Sequence, residues 1–159
     1  MNTHERIEVR RWVQEAISLY ENAGKETLLR EIADSGGRFV SGERYMFALD
    51  LSGTMVAHPM EPALTGRNLI DLRDSEGNAF IRKIVDTAKT KGYGYRDYKW
   101  RRPGSVDELH KTVFFEQVEG IILCSGFYSS RESFLDSVIN YLSSPFRAIY
   151  GGGWPYGPC

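Results

Sequence analysis

Hydrophobic positions recur at three-four spacing from the start of the chain. Val9, Trp12, Val13, Ala16, Ile17 and Tyr20 form one apolar stripe, which predicts an amphipathic helix over roughly residues 4 to 22. Gly24 is placed to stop it. Leu28, Leu29, Ile32 and Ala33 predict a second, shorter helix ended by Gly36-Gly37. The period then changes from helix to strand. Tyr45 to Asp50 and Thr54 to His58 predict two strands joined at Leu51-Ser52-Gly53. Alternation puts Tyr45, Phe47 and Leu49 on one face of the first, and Thr54, Val56 and His58 on one face of the second. Residues 59 to 76 read as an ordered loop crossing the sheet. Phe80, Ile81, Ile84, Val85 and Ala88 return to the helical period, with Asp74 or Ser75 placed as a cap and Lys91-Gly92 as the stop. Three strands follow, at about 93 to 100, 110 to 118 and 121 to 128. Arg101-Arg102-Pro103-Gly104-Ser105 joins the first two, and Glu119-Gly120 makes the last hairpin turn. Phe134, Leu135, Val138, Ile139 and Leu142 predict a buried stripe on a closing helix over about 130 to 142. The Gly/Pro-rich end from Gly151 to Pro158 reads as irregular.

Runs of adjacent strands favour antiparallel pairing, with helices covering one face. The expected fold is α+β: a five-stranded antiparallel sheet with a long N-terminal helix, a helix over the sheet, a C-terminal helix and a pocket on one face. Residues 1–38 form the N-terminal helical segment, 39–142 the core with its closing helix, and 143–159 an irregular tail. No repeat or second core is visible, and 159 residues suit one domain.

Charge narrows the function. The 20 Lys and Arg nearly cancel the 21 Asp and Glu, and no basic stripe appears, which argues against a nucleic-acid binder. Nine tyrosines lead the aromatic residues, and tyrosine supplies an apolar wall with a polar tip. The plainer account, tyrosines lining strands, serves for any single one of them. Cys124 sits in the apolar run Ile121-Ile122-Leu123-Cys124 and reads as a buried thiol, and Cys159 ends the chain. No Cys/His cluster suggests a metal. The polar start is not a signal peptide, and no apolar run approaches the ~20 residues of a membrane span.

Several residues point to a binding site. Lys111 opens an otherwise apolar strand, where its ammonium either meets a carboxylate or is solvated at a strand end. Arg96, Tyr98 and Trp100 share a face, as a pocket wall or as an exposed aromatic ladder. Tyr45 and Phe47 share another, Phe47 reading mainly as core. His58, before Pro59, suits a ligand contact better than metal or catalysis, because neither His4 nor His110 stands at ligand spacing with it. Asp71 and Asp74 are explained by capping and loop ordering. Tyr128 closes the last strand beside Gly126. No nucleophile elbow or phosphate-binding glycine loop is present.

Taken together, these stretches resemble a single Cache domain, a PAS-like bacterial extracytoplasmic sensor module. The resemblance is carried by Asp50 to Pro59, Gly66-Arg67-Asn68-Leu69, Asp71 to Asp74, Phe39 to Phe47, Gly94 to Trp100 with Pro103, Lys111, and Ser125-Gly126-Phe127-Tyr128, over roughly residues 8 to 142. It implies a module that binds a small organic acid or related metabolite, holds no cofactor or metal, catalyses nothing and passes its state to a signalling partner such as a chemotaxis receptor. It also implies that Lys111 faces the ligand, and the reading of the residues themselves sets Tyr45, Phe47, His58, Arg96, Tyr98, Trp100 and Tyr128 as candidates around it. A periplasmic location follows by resemblance, with a cytoplasmic one left open by the polar start. The chain departs from the pattern at Ile121, at Cys124 and at Phe114, where a hydroxyl that would bear on selectivity is lost. Two rival readings stand beside this one. One is a ligand-free dimerisation module using Trp12 and Tyr20 of the first helix. The other, ranked lower, is a small-molecule enzyme using His58 with Asp71 or Asp74.

Overall fold

The computed structural model describes residues 3–129 together with Ile139 and Leu142. Asn2–Tyr128 forms one compact unit, and Ser129–Cys159 belongs to a second. The expected closing helix and tail therefore lie outside the described residues, apart from Ile139 and Leu142. Both of these are helical, and both are exposed rather than buried.

In the first unit, α1 spans Thr3–Ala33 and is broken at Gly24, whose φ of 84° leaves the helical region. The break falls where the apolar stripe predicted a stop. Val9, Trp12, Val13 and Ala16 are buried before it, and Leu28 and Ile32 after it. The strands are β1 (Val40–Ser41), β2 (Arg44–Asp50), β3 (Met55–Ala57), β4 (Tyr93–Arg101), β5 (Glu108–Val118) and β6 (Ile121–Tyr128). A short 3-10 turn, Pro62–Leu64, lies in the long loop, and α2 spans Phe80–Lys91. Gly92, at φ 85°, ends α2 in the left-handed conformation. Glu119 and Gly120 both take positive φ, as the two-residue turn between β5 and β6 requires.

The antiparallel sheet runs β1-β2-β6-β5-β4, with β3 also paired to β2. The five expected strands are present. β1 adds a short sixth, because the chain reverses at Gly42 and pairs Val40 with Tyr45. β3 pairs Met55 with Leu49 but Ala57 with Ala48, so Val56 is an extra residue on its strand. That bulge breaks the alternation. Val56 packs on the α1 side, while the His58 ring lies against Tyr45 and Phe47 on the other. The expectation that Thr54, Val56 and His58 share one face is thereby corrected.

A second correction concerns the layers. Helices cover both faces of the sheet, not one. α1 packs against Met46, Ala48, Phe114, Leu123 and Phe127. α2 and the long loop pack against Tyr45, Phe47, Leu49, Val113, Phe115, Ile122 and Cys124. The reason lies in the central strands. Tyr45 to Leu49 and Ile121 to Phe127 are buried without interruption, and a strand apolar on both sides needs cover on both. The α2 side carries the candidate site.

α2 starts after Ala79 with no side-chain cap. Neither Asp74 nor Ser75 caps it. Asp71 instead forms an ion pair with Arg82 at 2.5 Å, and Asp74 orders the loop. Among the described residues no helix is long and apolar enough to cross a membrane.

Candidate functional site

The long loop leaves β3 at His58 and returns to the sheet at α2. Between it and the sheet lies a narrow cavity of about 10 Å³, room for about one water molecule. Tyr45 and Phe47 of β2, His58, Tyr98 and Trp100 of β4, and Lys111 of β5 line it from the sheet side. Met55, Leu64, Leu69, Leu72, Phe80 and Ile81 close it. A wider groove runs along the outer face of α1 between Arg11 and Arg38, but it is open to solvent and holds no buried charge.

Lys111 sets the electrostatics. In the antiparallel register it stands between Tyr98 and Tyr128, and its side chain is essentially fully buried at 1% exposure. Its Nζ lies 4.0 Å from the ring centre of Tyr45, 5.1 Å from Phe47, 5.4 Å from Tyr128 and 5.9 Å from Tyr98. Among the described residues no carboxylate pairs with it. Burial lowers its pKa from 10.5 to about 7, against the opposing pull of Cys124 and Glu61. The aromatic faces favour the charged form by attraction to their quadrupoles. A buried ammonium with three donors and no acceptor calls for an anion.

The strand glycine of β6 makes this placement possible. A Cβ on Gly126 would lie 2.7 Å from Lys111 Cε and 2.8 Å from Val113 Cγ2. The lysine stem therefore crosses β6 over the one residue that leaves room for it. Gly126→Ala should push the stem aside and cost about 1–3 kcal/mol of stability by overpacking, read as a lowered melting temperature.

His58 is held as a neutral donor. Its Nδ1 accepts the backbone N–H groups of Met60 at 3.2 Å and Glu61 at 2.9 Å, which puts the proton on Nε2. Burial, aided by the charge of Lys111, lowers its pKa to about 3. The ring stacks on Phe47 at 5.8 Å and leans on Tyr45 at 5.0 Å.

The tyrosines remain protonated. Burial raises the hydroxyls of Tyr45 and Tyr98 well above their ordinary value. Tyr98 stacks on Phe80 at 4.0 Å, and Trp100 meets Phe80 edge-on at 5.6 Å, so the wall is shared by β4 and the start of α2. Tyr128 donates to the Arg101 carbonyl at 2.6 Å and lies 3.5 Å from the Tyr45 hydroxyl; burial pushes its pKa up to about 12.

Of the residues singled out from the sequence, Tyr45, Phe47, His58, Tyr98, Trp100 and Lys111 come together at the cavity. Tyr128 stands at its edge, touching it through Tyr45 and Lys111. Arg96 is not brought in. It shares a face with Tyr98 but pairs with Val113, two residues and about 7 Å farther along the strand. Phe114 packs under α1 against Tyr95, so the hydroxyl missing there has no bearing on the cavity. The loop leucines Leu64, Leu69 and Leu72 are cavity residues that the sequence reading does not single out. Their signal was present in the sequence, since apolar residues in an ordered loop must be buried against something.

The family model described as Cache domain matches residues 11–142. Among curated proteins, the methyl-accepting chemotaxis protein McpP of Pseudomonas putida is 31% identical over 86 residues, covering 53% of this chain and 16% of that protein. The sensor histidine kinase MctS of Rhizobium johnstonii is 36% identical over 70 residues, covering 44% and 15%. The chain thus spans less than a fifth of the length of these relatives. Among solved structures, a periplasmic sensor domain of a chemotaxis protein superposes with a TM-score of 0.70 at 29% identity, covering 78% of this chain and 94% of that one. A Cache chemosensory domain solved for its recognition of carboxylic acids superposes with a TM-score of 0.67 at 29% identity, covering 81% and 100%.

Proposed function

The chain belongs to the Cache domain family, and on that premise we propose that it senses a small organic acid and passes its occupancy to a signalling partner. The observation that carries this reading is the buried, unpaired ammonium of Lys111 at the wall of a narrow aromatic cavity. The acid places its carboxylate on Lys111 Nζ, a charge-assisted contact inside a low-dielectric site. The Nε2–H of His58 and the hydroxyls of Tyr45 and Tyr98 supply neutral donors to the same oxygens. Phe47, Trp100 and the loop leucines enclose a short apolar remainder, and the loop gives way to admit it, since the cavity as it stands has room for about one water molecule.

The output end of this reading comes from the relatives, a chemotaxis receptor and a sensor kinase. In each, a larger protein would read the state of such a domain. An extracytoplasmic location fits the same reading, since one similar structure is a periplasmic sensor domain. Occupancy can bias the domain only through different affinity for its two states. The loop that closes the cavity is the element in position to supply that difference.

A thermal-shift screen of the purified protein against acids of two to four carbons, amino acids, amines and purines tests the proposal. A ligand at a hundred times its dissociation constant should stabilise the fold by about 2.7 kcal/mol, several degrees in melting temperature. Shifts confined to the acids support the reading. Shifts confined to amines or purines, or none at all, contradict it.

A further inference from the structure

The cavity wall is assembled from two segments far apart in sequence, and two carboxylates join them: Glu76, whose Oε1 lies 3.2 Å from Lys99 Nζ in a partly exposed ion pair, and Asp74, which is buried. Asp74 is nine-tenths buried in the loop before α2. Its Oδ1 accepts the backbone N–H groups of Glu76 at 3.0 Å and Asn78 at 2.9 Å, which closes the local turn. Its Oδ2 accepts the Asn78 side-chain amide at 3.1 Å and the backbone N–H of Lys99 at 3.0 Å. Lys99 sits between Tyr98 and Trp100 on β4, an edge strand of the sheet among the described residues, so this N–H is bonded by a side chain in place of a neighbouring strand. Six residues after Asp74 the chain reaches Phe80, whose ring stacks on Tyr98 within 9° of parallel and meets Trp100 edge-on. The tie and the ring stack thus bind the same two segments.

We infer that Asp74 is a positioning residue for the ligand site: one oxygen builds the turn, and the other fixes the Phe80 side of the wall against the Tyr98–Trp100 side. The two oxygens do separable work. Only the second reaches across to β4, and a hydrogen bond to an ionised carboxylate is stronger than one between neutral groups. Burial works to raise the carboxyl pKa, but donation from Lys99, Asn78 and Glu76 outweighs it and holds the group below its ordinary value. The inference rests on the reading of this cavity as the ligand site.

Asp74→Asn separates the two functions, because an amide keeps one acceptor for the turn and faces Lys99 with a second donor. Asp74→Ser gives the same separation through a shorter side chain, and serves if the asparagine variant does not fold. Asn78→Ala removes the other Oδ2 contact and leaves the tie to Lys99 in place. Binding of acetate, propionate and butyrate by calorimetry, with amide exchange at Lys99 and Glu76 by NMR, reads all of them. The expected result is a loss of affinity of roughly tenfold in D74N and D74S. Exchange should become fast at Lys99 and stay slow at Glu76, and N78A should bind as the wild type does. Unchanged affinity in D74N, or a Lys99 amide still protected in it, overturns the inference. A wild type that binds none of the three acids overturns the carboxylate reading instead. The Lys99 exchange and the Phe80–Tyr98 ring contacts then decide the tie: their loss in D74N upholds it, and their persistence overturns it.

Discussion

Lys111→Met should raise the melting temperature of the ligand-free protein and abolish its response to small acids. The two effects come from one fact. In the folded chain the ammonium is buried among aromatic rings without a counter-ion, and burial depresses its pKa from 10.5 to about 7. A group whose charged form is disfavoured by folding costs stability while it is charged. That cost is full below about pH 7 and is relieved as pH rises from there toward 10.5, where the unfolded chain also loses the proton. The rings return part of it through cation–π attraction. Methionine has a similar volume, fills the same slot beneath Gly126 and carries no charge. A net gain of about 2 kcal/mol at pH 6, or roughly 5 °C, is expected. The gain should shrink as the pH approaches 10. Thermal melts of wild type and K111M across that range, with and without propionate, check both halves. A variant that is less stable at pH 6 would show that Lys111 is held by something other than its need for an anion.

The affinity for a small acid should be level between about pH 5.5 and 7 and fall about tenfold for each unit above that. Over this range the acid stays ionised, so the slope belongs to the protein. On the proposed reading the carboxylate binds the ammonium form of Lys111, and in the empty site that form is lost above about 7. Binding above this pH therefore takes up a proton. His58 stays neutral throughout, because its pKa is lowered to about 3. Tyr45 and Tyr98 stay protonated, because burial raises theirs. Lys111 is left as the group whose titration shapes the profile. Calorimetry in two buffers of different ionisation enthalpy at pH 8 reads the proton uptake directly. No uptake, or an affinity that climbs with pH, would contradict the assignment.

Local signals made most of the fold legible. The period of the apolar stripe, the stop at Gly24, the left-handed glycine at 92 and the turn at Glu119-Gly120 are each written within a few residues. The two-sided cover was legible too, in the unbroken apolar runs from Tyr45 to Leu49 and from Ile121 to Cys124, but runs of adjacent strands suggested a one-sided sheet. Alternation told which face Arg96 takes and not how far along the strand the cavity reaches, so Arg96 was grouped with Tyr98 and Trp100. The bulge at Val56 is invisible to alternation, because one extra residue reverses every face beyond it. Asp74 reads as a helix cap because it stands just ahead of the apolar stripe that begins at Phe80. Its most distant partner in sequence, Lys99, is 25 residues away and becomes visible only when β4 is laid beside the loop.

The central claim is that the Lys111 ammonium is the anion receptor of this cavity, and its own titration tests that most directly. In protein labelled at the lysine Cε and Nζ positions, the Lys111 resonance should titrate far below the other lysines in the absence of ligand, with a midpoint near 7. Saturating propionate should move that midpoint upward by at least a unit, in proportion to the affinity lost at high pH. A Lys111 that titrates like a surface lysine, or whose midpoint ignores the acid, would contradict the account.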